Sequence, residues 1–300
     1  MTMQGSCKYD ILAMDLDGTL LRSDGTVSPA SIAAIERARK AGLRVIVCTG
    51  RGWVECKHIL EQIRQSDPVV VAGGAIVAEA QRGTTLHRFS MHADLVHAAV
   101  NELLAREHAA LVLKDPSEAG YEYLVVQGTQ RVALDPVTQW WFSKMSVRAR
   151  FLDELRHDEH PEHTVRVGAC APSGQLHEIE DALARIAGDR GVIHNFPAVV
   201  APKEATHHAR GLMHIIELFD AEATKWSGIS HVAKRFGVPS ARIAAIGDEV
   251  NDMAMITRAG LGIAMGNAVP KVREAAKRHT ATNNDDGLAK AIDKMIEGEW

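Results

Sequence analysis

The chain has 300 residues, 46% of them hydrophobic and 24% charged, with a net charge of -4. That composition excludes an intrinsically disordered chain, and the length suits two domains better than one. The small negative balance argues against a nucleic-acid partner, and no apolar run approaches the length that spans a bilayer, so no membrane partner is expected either.

Taken in chain order, the polar stretch from Met1 to Tyr9 lacks the apolar segment of a secretory signal. Ile11 to Met14 read as a strand that ends abruptly at Asp15-Leu16-Asp17-Gly18-Thr19, a polar break where open α/β sheets place their ligands. A helix follows, with Ser28 at its N-cap, Pro29 at its first position, Ile32, Ile35 and Ala38 at helical spacing, and Gly42 as its stop. Leu43 to Cys48 form a second apolar strand, broken at Thr49-Gly50-Arg51. This strand–helix–strand order predicts a parallel pair with a right-handed crossover. Val69 to Ala72 read as a further strand ending at Gly73-Gly74.

From about Leu86 the texture changes. The stretch to about His208 holds most of the 15 histidines, Trp140 and Trp141, strands such as Tyr123 to Val126 and Thr164 to Ala169, and helices such as Ala93 to His108 and Gln175 to Ile186. It reads as a second α+β unit, residues 86–208, inserted into a first made of 1–85 and 209–300. The first texture then returns: a helix from Ser227 to Phe236, a strand from Arg242 to Ile246 ending at Gly247-Asp248, a helix from Glu249 to Arg258, a short strand from Leu261 to Met265, and closing helices at Val272 to Lys277 and Leu288 to Ile296. The fold class expected is α/β, a Rossmann-like doubly wound parallel-sheet core with an inserted α+β domain.

Four polar clusters stand at the ends of predicted strands or helices: Asp15/Asp17, Thr49, Lys225 and Asp248/Asn251/Asp252. Strand C-termini of a parallel sheet share one edge, so these clusters are expected to converge. Several carboxylates in one pocket repel each other unless a divalent cation, here Mg2+, neutralises them. A lysine beside them offers a point charge to a phosphate oxygen. Together these groups suit phosphoryl transfer, in which a carboxylate can attack phosphorus and a second group protonates the leaving oxygen and then activates water. Asp17, two residues from Asp15 in an extended chain, faces the same side. Gly18 lets the chain turn away sharply, and nearby backbone amides can hold phosphate oxygens.

Asp15-Leu16-Asp17-Gly18-Thr19-Leu20 resembles the first motif of the haloacid dehalogenase superfamily, Thr49-Gly50-Arg51 its second, and Gly247-Asp248-Glu249-Val250-Asn251-Asp252-Met253 its fourth; Lys225 falls where the third is expected. Ala264-Met265-Gly266-Asn267-Ala268 and Asn284-Asp285-Asp286-Gly287 are similar to the Cof-type (type IIB) branch, whose α/β cap is inserted between the second and third motifs. The resemblance implies a phosphatase with Asp15 as nucleophile and metal ligand. Asp17 would be the general acid/base, its backbone carbonyl on the metal. Thr49 and Lys225 would bind the phosphoryl group, Asp248 and Asp252 would complete the Mg2+ site, and Leu16, Gly50, Arg51 and Asn251 would contact phosphate or substrate. The substrate implied is a small phosphorylated metabolite, such as a sugar phosphate. A phosphohexomutase, or a phosphate-binding regulator on the same fold, is the alternative. A cytoplasmic monomer or homodimer is expected.

Two departures from the family pattern stand out: Gly73-Gly74 replaces the frequent Asn-Gly, and Trp226 follows Lys225 where Gly is frequent. Trp226 could narrow the approach to Lys225, and Lys203 is the nearest rival lysine. Asp-x-Asp-Gly alone is also a common turn, and Gly-Asp-x-x-Asn-Asp alone a helix cap; their occurrence together, in order and at strand ends, favours the catalytic reading. His157, His160, His163 and the adjoining His207-His208 read as solvated surface residues rather than a metal site. Trp140-Trp141-Phe142 read as a core or subunit contact rather than as a face over substrate. Cys7, Cys48, Cys56 and Cys170 show no zinc or redox spacing and read as reduced thiols.

Overall fold

The structure, a computed structural model, describes residues 7–198, 207–208 and 211–300. Lys203 lies outside them. The chain divides into two compact units, Met1–His87 with Thr224–Trp300, and Arg88–Ala223.

The first unit is built on an eight-stranded sheet. From one edge its strands run Arg278–His279, Leu261–Ala264, Ile243–Gly247, Ile11–Asp15, Arg44–Cys48, Val69–Val71, Ile76–Ala78 and Thr85–Arg88. The pairs from the first edge through Val69–Val71 are parallel, and Ile76–Ala78 turns antiparallel. The central strands are apolar on both faces because helices cover both faces, as parallel sheets require. One covering layer is formed by Trp226, Ile229, Val232 and Ala233, which pack with Ile11, Ala13, Ile46, Val70 and Ala245. Helix Pro29–Lys40 starts where the sequence places it: Ser28 accepts from the Ser31 amide at 3.0 Å. All four cysteines are free thiols.

The second unit is an antiparallel-rich sheet in the order Gly191–Pro197, Gly211–Asp220, Thr164–Pro172, Ala110–Lys114, Tyr123–Val126, Ala149–Leu152, with His207–His208 paired to Gly211–Asp220. Helices Ala93–Ala105 and Ser173–Ala187 cover one face, burying Leu95, Val100, Leu183, Val167 and Ile216 together. Gly211–Asp220 belongs here by its ladders to both Gly191–Pro197 and Thr164–Pro172. The structural division therefore falls at Ala223/Thr224, not between residues 208 and 209. Trp140 packs against Val137, Cys170, Ala198 and Met213, in accord with its packing role. Among the described residues no helix is long and apolar enough to cross a membrane.

Candidate active site

Sheet register brings the predicted clusters to one edge. Asp15 is level with Cys48, and Met14 with Ile246, so Thr49 and Asp248 each lie one step past the ends of strands flanking Asp15. After Asp15 the chain makes one wide turn, Leu16–Leu20, in which Asp17 stays extended (φ -77°, ψ 128°) and Gly18 is left-handed (φ 73°). A Cβ at Gly18 would sit 2.1 Å from Asp248 Oδ2, so only glycine allows both the turn and the close approach of this carboxylate.

Lys225 joins the parts. Its Nζ donates to Asp15 Oδ1 at 2.6 Å, to Asp252 Oδ1 at 2.6 Å and to Asn251 Oδ1 at 3.3 Å, with its side chain 1% exposed. The lysine opens the helix Lys225–Arg235, whose N-cap Thr224 accepts from the Ser227 amide. A cation at a helix N-terminus opposes the helix dipole, so this position is tenable because the carboxylates face it. The sequence reading started this helix two residues late. Trp226, a suspected obstruction, is turned into the apolar layer beneath the sheet. It does not narrow the approach, because successive helical side chains point about 100° apart.

The glycine pair after Val71 also has a role. Ala72, Gly73 and Gly74 all have positive φ (52°, 69° and 111°). The turn is tied to the loop before it: the Ala72 amide donates to Arg51 O and the Gly73 amide to Thr49 O. A Cβ on Gly74 would lie 2.1 Å from Thr224 C. The turn thus sets the backbone that presents Lys225.

Asp252 is wholly buried, and its Oδ2 accepts from the Asp248 and Glu249 amides at 2.8 and 3.0 Å. This closes the short turn Val250–Asp252 before helix Met253–Arg258, so the predicted single helix from Glu249 begins as a separate turn. Asp248 Oδ1 accepts from Thr19 Oγ1 (2.9 Å), and its Oδ2 from Asn267 Nδ2 (3.2 Å). Asn267 Nδ2 also donates to Gly18 O at 2.8 Å, and its Oδ1 accepts from the Asn283 amide. Thr19 and Asn267 therefore position Asp248, a role the sequence reading did not assign. Both lay inside motif stretches, but only their contacts reveal the role.

The remaining predicted residues divide. Thr49 is buried, its Oγ1 accepting from the Arg51 amide at 3.1 Å. Leu16 is buried as well, so its backbone is what a ligand could touch. Gly50 has open space where a Cβ would stand. Asp17 is not part of the buried acidic group: its carboxylate is held by Arg51 through Nε–Oδ2 (2.9 Å) and Nη2–Oδ1 (2.5 Å), with its side chain 51% exposed.

One ligand atom each from Asp15, Asp248 and Asp252 lies within 4.8 Å of the others. Burial, and then Asp252, raise the Asp15 carboxyl well above its usual range, against the pull of Lys225. Burial and Asp252 push Asp248 up to about 7, against the Thr19 hydrogen bond and Lys225. Burial opposes the charge on Lys225, but Asp15 and Asp252 outweigh it and raise its pKa. Fully ionised, three carboxylates against one ammonium would leave two negative charges unmatched, which is why the folded protein without a cation holds protons there. Oxygen ligands with that excess fit a hard divalent cation.

The comparisons agree with this geometry. The profile of the haloacid dehalogenase-like hydrolases matches residues 12–292, and the chain belongs to that family. Two relatives from Bacillus subtilis (strain 168) align along nearly their whole length. The phosphatase YwpJ is 28% identical over 95% of this chain and 99% of its own. The 5-amino-6-(5-phospho-D-ribitylamino)uracil phosphatase YitU is 27% identical over 94% and 96%. A haloacid dehalogenase-like hydrolase from Bacteroides thetaiotaomicron has the same fold, with a TM-score of 0.74 and 23% identity over 96% of this chain and 99% of its own. The chain is an enzyme, a phosphatase of the haloacid dehalogenase type.

Proposed function

We propose that the enzyme hydrolyses a small phosphorylated metabolite with Mg2+ and an aspartyl-phosphate intermediate. The observation that carries this reading is Lys225 Nζ bridging Asp15 and Asp252 within the acidic group of Asp15, Asp248 and Asp252. Asp15, Asp248 and Asp252, with the Asp17 backbone carbonyl, would hold Mg2+, which when bound supplies charge neutralisation for the phosphate oxygens.

Asp15 Oδ1 is engaged by Lys225, so the other carboxylate oxygen is assigned the attack on phosphorus. As that bond forms, the bond from phosphorus to the leaving oxygen breaks, and Asp17 delivers a proton to that oxygen. Water then attacks the aspartyl-phosphate and loses its proton to Asp17, releasing inorganic phosphate and the free Asp15 carboxylate. Lys225, Thr49 and the backbone at Leu16 and Gly50 hold the transferring phosphoryl group, and Asn251 and Arg51 contact substrate at its edge. Arg51 must give up its hold on Asp17 before that carboxyl can reach the leaving oxygen. The relative YitU is named for a phosphate on a ribityl chain, which supports a phosphorylated sugar or sugar alcohol as the substrate class. The inserted unit is assigned the role of the selecting cap, and the enzyme is placed in the cytoplasm.

The test is hydrolysis of p-nitrophenyl phosphate by the purified protein with Mg2+. Asp15→Asn should lower kcat by at least about 10³-fold, the order seen when a covalent nucleophile is removed. A rate within tenfold of the unaltered enzyme would refute Asp15 as nucleophile.

A further inference from the structure

A different set of side chains in the second unit has the chemistry of a metal chelate. One ligand atom each from His160, Glu162 and His163 lies within 4.8 Å of the others. The three fall within His160-Pro161-Glu162-His163, where Pro161 opens a single tight turn, Pro161–His163. At three residues per turn, positions three apart share one side, and the His160 and His163 ring centroids are 5.8 Å apart.

The turn is held from outside. Lys114 Nζ donates to His160 O at 3.0 Å, Ser90 Oγ to Glu162 O at 2.9 Å, and the Asp115 amide to His163 O at 2.8 Å. The His160 amide donates to Asp158 Oδ1 at 3.0 Å. The carbonyl of every candidate ligand residue is therefore anchored, which lowers the ordering cost of closing a chelate. The Lys114 charge is matched by the buried Asp158 carboxylate and leaves Glu162 its own. Glu162 Oε1 is 3.0 Å from His163 Nε2, while Nδ1 of that ring is buried with no hydrogen-bond partner. Glu162 Oε1 stands on the Nε2 side of the ring, so Nε2 is the nitrogen that could share an ion with that carboxylate.

We propose that His160, Glu162 and His163 form a second metal site, for a borderline divalent ion of the Zn2+ type. Two imidazoles and a carboxylate suit Zn2+, whereas Mg2+ prefers oxygen ligands throughout. Water completes the coordination. The bound ion clamps the turn that leads into strand Thr164–Pro172.

The test uses the full chain in saturating Mg2+, titrating Zn2+ against a chromophoric chelator. One Zn2+ site is expected. Its affinity should fall at least about tenfold in His160→Ala/His163→Ala and in Glu162→Gln, with Mg2+-dependent phosphomonoester hydrolysis unchanged in both. Equal Zn2+ affinity in all three proteins overturns the proposal, as does binding lost in Asp248→Asn but kept in the histidine variant. Co2+ titration under the same Mg2+ needs no variant: the imidazole NMR signals of His160 and His163 should broaden first. Broadening elsewhere alone, or none, overturns it.

Discussion

Among the described residues each unit buries one lysine almost completely, and the two are solved in opposite ways. In the second unit, Lys114 has three acceptors for its three protons: Asp158, His160 O and Thr164 Oγ1. One carboxylate meets one ammonium, and burial still lowers the Lys114 pKa. In the first unit, Lys225 also makes three hydrogen bonds, but two carboxylates contact it and Asp248 stands close by. Its pKa rises, and Asp15 and Asp248 are pushed up too. A saturated, charge-matched lysine is a strut. A lysine outnumbered by carboxylates marks a place still short of positive charge, which a bound cation would supply before an anionic phosphoryl group could enter.

The sharpest way to break this comparison is to remove each lysine in turn. Lys114→Met leaves Asp158 buried without its cation and should cost about 3–5 kcal/mol of stability, read as a lower denaturation midpoint that Mg2+ does not restore. Lys225→Met should abolish phosphatase activity, but Mg2+ should recover much of its thermal stability, because a cation can replace the ammonium among the carboxylates. Equal Mg2+ responses in the two variants would dissolve the distinction.

Next in size is the pH dependence of the metal-free protein. Asp248 has an ordinary value of 3.8 and a folded value of about 7. Its raised pKa means the folded state holds the proton more tightly, so its contribution is full below about pH 4 and is lost as pH rises through 7. Asp15, also raised, adds in the same direction. The melting temperature without metal should fall between pH 5 and 8 by these groups, and the increment from Mg2+ should grow over the same range. An increment independent of pH would count against the cation sitting among these carboxylates.

Smaller effects test how the first unit presents its groups. Gly74→Ala forces a Cβ into the Thr224 backbone and holds alanine at φ 111°. It should cost about 1–3 kcal/mol and lower kcat by displacing Lys225. Arg51→Ala removes a partly exposed ion pair with Asp17, so stability should change by less than about 1 kcal/mol. kcat should nevertheless fall severalfold, because Asp17 loses the guanidinium that orients it. An unchanged kcat would remove Arg51 from any part in the chemistry.

Much of this was legible because local chemistry and tertiary role coincide. Asp15 ends an apolar strand with an Asp-Gly turn, and Asp248 and Asp252 follow another. Where one residue serves two neighbours, the pattern failed. Nothing in the spacing shows that Trp226 faces the core while Lys225 faces the carboxylates, since one residue of helix phase decides it. Gly211–Asp220 was assigned to the wrong unit because its place depends on which strands accept its hydrogen bonds. The anchors of the histidine turn, Lys114 and Ser90, are remote in the chain, so its fixed backbone could not be read from the local sequence.

By itself, then, the sequence determined the α/β class and the strand ends that carry the acids, because strand and turn preferences act over a few neighbouring residues. Only the tertiary structure decided that Asp17 rests on Arg51, that Thr19 and Asn267 hold Asp248, and that Gly74 sets Lys225. Those are contacts between segments tens to hundreds of residues apart, whose energies exist only once the chain has closed around them.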